Sequence, residues 1–162
     1  MPSQIFSGGT ITFNGAEGAA LEMSAFEGYG YAVYASNKLT FNGKANYIIN
    51  GRVMSYGDIE FNNCEVEINY QGEESTLASY VWYNGKSGGI IVNKGAFVSV
   101  YSQYNTAVMT EGANVVVNNG GTLNAQGKVY GVQAINHKTA TTAANLQLQK
   151  AAALLQWVTK LL

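Results

Sequence analysis

The 162-residue chain is poor in proline, cysteine, histidine, aspartate and arginine, with one of each: Pro2, Cys64, His137, Asp58 and Arg52. Each scarcity excludes something. One cysteine forbids an intrachain disulfide and leaves the redox compartment open. One His and one Cys cannot build a zinc site of His/Cys ligands, so neither a metal nor another cofactor is expected. Charged residues make up 12% of the chain, about half the usual share, and the net charge is -1. No basic run stands out, which argues against a nucleic-acid partner. Hydrophobic residues reach 47%, so intrinsic disorder is excluded too. No apolar run approaches the roughly 18 residues of a membrane span. The opening MPSQIFSGG has neither the charged nor the apolar region of a signal peptide, and the chain reads as a piece of a longer exported protein.

What the chain does have is glycine (19 residues), asparagine and tyrosine. Corners made by Gly and Asn with almost no Pro suit a backbone that turns often yet keeps its N–H groups bonded. A five-residue phrase also recurs: polar or small, apolar, any, apolar, Asn. It reads Thr10-Ile11-Thr12-Phe13-Asn14, then Lys38-Leu39-Thr40-Phe41-Asn42. Asp58-Ile59-Glu60-Phe61-Asn62, Gly89-Ile90-Ile91-Val92-Asn93 and Asn114-Val115-Val116-Val117-Asn118 complete the set. The Asn-to-Asn steps are 28, 20, 31 and 25 residues, a period that marks a repeat architecture.

Each phrase is a strand with one buried face, followed by a corner. A second short strand follows, as in Val66-Glu67-Ile68 and Val98-Ser99-Val100. A third then comes, as in Arg52-Val53-Met54 and Tyr80-Val81-Trp82-Tyr83. Three strands per turn predict an all-β fold: a right-handed, single-stranded parallel β-helix of about five coils over residues 1–138. Ile11, Leu39, Ile59, Ile90 and Val115 would form one interior column, and Phe13, Phe41, Phe61, Val92 and Val117 another. Asn14, Asn42, Asn62, Asn93 and Asn118 would form a structural ladder, each amide bonded to the next coil. A β-sandwich has similar short strands but does not predict the recurring Asn. A left-handed hexapeptide helix requires strict six-residue spacing, which these steps lack.

After Asn136 the pattern changes. Residues 139–145 (TATTAAN) read as a small-residue linker ending in an Asn145 N-cap. Residues 146–162 contain good helix formers and no Gly or Pro,. Leu148, Ala151, Leu155, Val158 and Leu162 follow helical spacing and predict an amphipathic helix. Its expected role is to cap the open solenoid end or to mediate homo-oligomerisation. Two lysines are too few for a membrane-surface helix.

Chemistry-bearing motifs are scarce. Gly85-Lys86-Ser87-Gly88-Gly89 matches the G-x-S-x-G serine elbow, but a strand follows where a helix is needed. A phosphate loop would require Gly where Tyr80 stands. Glu60, Glu65 and Glu67 point outward by alternation, and no carboxylate pair recurs between coils, so no catalytic residue is assigned. Aromatic residues are the better hint: eleven Tyr and two Trp. Tyr29, Tyr31 and Tyr34 form one cluster, and the candidate ligand-binding residues are Tyr80, Trp82, Tyr83, Tyr101 and Tyr104. Such rings stack on sugars or anchor a protein partner.

The stretch Asn114-Val-Val-Val-Asn-Asn-Gly-Gly-Thr-Leu-Asn-Ala-Gln-Gly127 resembles coils of autotransporter passenger domains and related bacterial adhesins. Pectate-lyase-like solenoids and phage tailspikes share the coil shape. The resemblance spans residues 8–136 and implies export to the cell surface and an adhesive or scaffolding role, with a surface glycan or host protein as ligand. The alternatives are a polysaccharide lyase or glycosidase on the same scaffold and a structural, self-assembling unit.

Overall fold

The computed structural model describes residues 3–26, 30–82, 85–138, 143–149 and 153–158, the last six as backbone alone. Within them, eighteen strands form three parallel six-stranded sheets. The chain visits the sheets in strict rotation, so three consecutive strands make one coil. The first coil is β1 (Ile5–Ser7), β2 (Thr10–Asn14) and β3 (Ala20–Ser24). The second is β4 (Tyr31–Ala35), β5 (Lys38–Asn42) and β6 (Asn46–Asn50), and the third β7 (Arg52–Ser55), β8 (Ile59–Asn62) and β9 (Glu65–Tyr70). The fourth is β10 (Leu77–Ser79), β11 (Ile90–Val92) and β12 (Phe97–Ser102). The fifth is β13 (Val108–Glu111), β14 (Val115–Val117) and β15 (Thr122–Gly127). The sixth is β16 (Val132–Ile135), β17 (Leu146–Leu148) and β18 (Ala153–Val158).

The Asn-terminated phrases form the second sheet, in register. Phe13 pairs with Phe41 and Phe41 with Phe61. Alternation sends their apolar residues inward, and Leu39, Phe41, Ile59, Phe61, Ile90, Val92, Val115 and Val117 are fully buried,. The three phenyl rings stack along the axis, with centroids 4.9 and 5.2 Å apart. Ile11 and Phe13, in the first coil, have core on one side only and are partly exposed.

The corner after each phrase calls for a left-handed residue. Gly43 has φ 84° and Asn63 φ 51° at equivalent places. A Cβ on Gly43 would lie 2.0 Å from the Gly15 carbonyl oxygen of the coil below, so no side chain fits there,. Tyr47 braces the same corner from inside. Its buried hydroxyl donates to the Asn42 carbonyl (2.8 Å) and accepts from the Gly15 N–H (2.9 Å).

Two expectations need correction. The amphipathic C-terminal helix is not formed: no helix occurs among the described residues at its place, and 146–148 and 153–158 are strands. Val115 pairs with Leu146 and Val117 with Leu148, while Thr122 through Gly127 pair with Ala153 through Val158. Asn145 is no N-cap. Its N–H donates to Asn114 Oδ1 and its carbonyl accepts from the Val115 N–H, both at 2.9 Å. The physical reason is register: Asn145-Leu146-Gln147-Leu148-Gln149 is a sixth copy of the phrase with Gln in the Asn place. The exposed strand edge of the fifth coil outweighs intrinsic helix propensity. Five coils become six, and a capping or oligomerisation helix loses its basis; residues 139–142, 150–152 and 159–162 of the expected linker and helix lie outside the described residues. The other correction concerns the fourth coil, whose strand on the first sheet is Leu77–Ser79, in register with Val53–Ser55. Tyr80–Trp82 has already left the sheet.

Strand and helix displace 13Cα resonances in opposite directions, so the C-terminal assignment is directly measurable. The 13Cα secondary shifts of 146–148 and 153–158 are expected to be negative; positive values would restore the helix.

Candidate functional site

The five ladder asparagines are joined in one chain of hydrogen bonds. Asn42 Nδ2 donates to Asn14 Oδ1 (2.9 Å), and Asn62 Nδ2 to Asn42 Oδ1 (2.8 Å). Asn93 Nδ2 donates to Asn62 Oδ1 (2.7 Å), and Asn118 Nδ2 to Asn93 Oδ1 (2.6 Å). The ladder consumes these amides in structure and leaves them little to offer a ligand.

The aromatic candidates are not gathered into one site. Tyr101 and Tyr104 belong to β12 and the corner after it, and are 41% and 45% exposed. The Lys128 ammonium sits 5.4 Å from the Tyr104 ring centre. Tyr80 and Trp82 stand at another corner, in the segment leaving β10, and Tyr83 lies outside the described residues. The outward carboxylates are scattered as well. Glu60, on β8, pairs with Lys38 at 2.8 Å, while Glu65 and Glu67 are exposed on β9.

Tyr80 holds Arg52. Arg52, at the start of β7, is buried, with 5% of its surface exposed. Nε donates to the Ser75 carbonyl (2.9 Å), Nη1 to the Tyr31 hydroxyl (2.9 Å) and Nη2 to the Tyr80 hydroxyl. Both rings also lie within 5.3 Å of its carbon centre, at cation–π distance,. The clasp ties the segment after β10 to the coils beneath it. Burial pushes the Tyr80 phenol above its ordinary value, opposed by the Arg52 charge, so the phenol stays a neutral partner.

Trp82 packs on Tyr56, ring centres 4.3 Å apart. Tyr56 meets Tyr34 at 6.1 Å, and Tyr34 meets Phe6 at 6.1 Å. These four rings come from coils one to four and form a strip that climbs the outside of the solenoid. Phe6 and Tyr34 are register partners. Tyr56 and Trp82 lie progressively further along the chain from their strands, so the strip slants toward the corner before the second sheet. Burial raises the Tyr56 phenol, with smaller contributions from Tyr34 and Tyr31.

Beside the upper half of the strip lies a groove of about 760 Å³. Tyr56 and Trp82 supply its aromatic surface, and Ser36, Asn37, Asp58 and Lys86 line it with polar groups. The polar side is fixed by the neighbouring coils. Ser36 and Asn37 N–H groups donate to the Ser7 and Gly9 carbonyls at 3.1 and 3.0 Å. Asp58 Oδ1 accepts from the Gly89 N–H at 2.8 Å. Ser87 is no serine nucleophile elbow: its hydroxyl donates to the Gly112 carbonyl at 2.7 Å and pins the loop to the fifth coil. Aromatic faces beside amides, hydroxyls and one charge of each sign are the chemistry that recognises a polyhydroxylated ring. Phe6 and Tyr56 were not among the sequence candidates. Their signal was a register that only the coil lengths reveal.

Among the described residues, no group of three His, Cys, Asp or Glu side chains could hold a metal ion. Cys64 is buried at the opposite corner, its thiol directed at the Phe41 carbonyl oxygen 3.6 Å away. Compared with known proteins, the chain matches no family model, no curated protein and no solved structure.

Burial pushes the Cys64 thiol from 9.0 up to about 11. The Tyr47 and Tyr70 phenols are raised too, both chiefly by burial, and Tyr70 also by its bond to Glu74. A raised folded-state value makes the neutral form the one that the fold favours. The stability linked to Cys64 is therefore full below pH 9.0 and lost as pH climbs through about 11,. The denaturation midpoint is expected to fall over that window, and Cys64→Ala to fall less. A midpoint that stays level across it would refute the burial of these groups.

Proposed function

We propose that this chain is a non-catalytic, adhesin-like module of an exported cell-surface protein, and that its ligand is a glycan held in the groove beside Tyr56 and Trp82. The observation that carries the reading is the pairing of an aromatic strip with a fixed polar wall on a rigid, repetitive scaffold. Such a scaffold pre-organises the site, so little ordering is required on binding. The right-handed sense belongs to the same proposal. It is the hand that parallel crossover connections take almost without exception, and the one that passenger-domain coils adopt.

The non-catalytic reading rests on the groove's acids. General acid and base work on a glycoside needs two carboxylates facing one bond. The described groove lining offers Asp58 alone, with one oxygen already engaged by Gly89.

A glycan array probed with the whole chain tests this. Binding to at least one class of oligosaccharide is expected, with no release of reducing or unsaturated sugar. Trp82→Ala should weaken the interaction by about tenfold or more, the effect of losing a central anchor. Tyr101→Ala and Tyr104→Ala, on another face, should leave it unchanged. An array with no binding, or binding lost with Tyr101 and kept without Trp82, would overturn the assignment.

A further inference from the structure

We infer that two copies of this chain pair side by side and antiparallel through the corner that joins the third sheet to the first, with Tyr104 at the centre and Lys128 of each copy against the partner's Glu73. This corner is on a different face from the Trp82 groove, so pairing and ligand binding are separate properties of the molecule.

Exposed apolar side chains gather at this corner. Tyr101 points outward from β12 and Tyr104 follows in the turn, while Val129 and Tyr130 occupy the turn after β15, 45% and 47% exposed. Backbone bonds hold the two turns against each other. The Val129 N–H donates to the Asn105 carbonyl (3.3 Å), and the Ala107 N–H to the Tyr130 carbonyl (3.0 Å). Turn chemistry favours Gly, Asn and Ser at such places and does not call for Tyr or Val. Clustered apolar exposure marks a surface that meets a partner, and Tyr is a common anchor of protein interfaces.

The charges select the partner. Strands β9, β12 and β15 are in register, so the turns after them stack about 4.8 Å apart. Glu73 lies one coil below Tyr104, where its carbonyl accepts from Asn105 Nδ2. Lys128 lies one coil above, its ammonium 5.4 Å from the Tyr104 ring centre. Both are exposed, and neither joins an ion pair among the described residues. Glu74 differs, since its carboxylate already accepts from the Tyr70 hydroxyl. Opposite charges at equal heights on either side of an aromatic centre complement their own two-fold image. A two-fold axis through Tyr104, perpendicular to the solenoid axis, brings the fifth coil of one copy level with the third coil of its partner. Each Lys128 then meets the partner's Glu73, and the same patch serves both copies. A parallel pair would set like charges together instead. A patch of this size makes a reversible dimer, at the low end of specific interfaces.

Sedimentation velocity of the full chain over a concentration series tests the pairing. The mass should rise from one chain of 17.3 kDa to two and stop there. Lys128→Glu and Glu73→Lys should each weaken association about tenfold or more, because each sets like charges together twice per dimer. An equimolar mixture of these two variants, or the double variant Lys128→Glu/Glu73→Lys, should restore it. Tyr104→Ala should weaken it as well. These side chains are exposed, so each variant should unfold at the wild-type temperature, which is checked in parallel. A single-chain mass at every concentration, or growth beyond two chains, would overturn the two-fold dimer. So would charge-reversed variants that pair like the wild type, or a mixture and a double variant that both stay monomeric. Indifference to Tyr104→Ala would remove the corner from the interface.

Discussion

The amide ladder from Asn14 to Asn118 is the constraint on which the rest depends. An Asn side chain has both a donor and an acceptor end, so one residue type at one position can bond to the coil below and the coil above. That requirement fixes which residue stacks on which. A slip of one residue would send Phe41 and Phe61 to solvent and the polar residues between them into the core. Coils of 28, 20, 31 and 25 residues still superimpose at this corner, because the length differences are absorbed elsewhere. The ladder and the phenyl stack behind it support each other: the amides set the register and the buried rings supply the hydrophobic stabilisation.

Those absorbed differences create the groove. The third coil passes from Ser55 to Ile59 through Tyr56, Gly57 and Asp58, in register with the equally tight corner from Ala35 to Leu39 beneath it. The longer fourth coil sends out a loop after Ser79, and Arg52 draws it back over the sheet by holding Tyr80. Trp82 comes to rest on Tyr56 as a result. A perfectly regular solenoid would have a smooth flank. Here unequal coils on a common register yield an aromatic strip and a walled hollow, while the core remains periodic. Function and fold thus draw on different parts of the same repeat: the phrase that ends in Asn is uniform, and the segment that precedes it varies.

Much of the fold was legible because one period carried it. The recurring phrase marks the parallel second sheet and its two interior columns before any coordinates are consulted. Residues 146–148 were misread because local propensity and tertiary demand disagree there. Leu, Gln and Ala favour a helix in isolation, yet an open edge of paired strands offers hydrogen bonds and apolar cover that an isolated helix lacks. Gln149 in the Asn position hid the sixth repeat. The site was legible only in part. Trp82 stood out as a rare aromatic residue, but Tyr101 and Tyr104 looked equivalent to it. Phe6 and Tyr56 joined it only through the offsets of three different coils, which a pattern of alternation cannot supply.

The most direct measurement of one-coil stacking is a pair of disulfide traps in a Cys64→Ala background. Thr12 and Thr40 are register partners two residues before Asn14 and Asn42. Their separation should equal one strand spacing, about 4.8 Å, within the span a disulfide bridges. Thr40 in turn pairs with Glu60, which places Glu60 two spacings from Thr12, beyond that span. Thr12→Cys with Thr40→Cys should close rapidly under mild oxidation, and Thr12→Cys with Glu60→Cys should remain reduced. Closure of the second pair with failure of the first would contradict the stacked coil, and with it the ladder, the core and the groove.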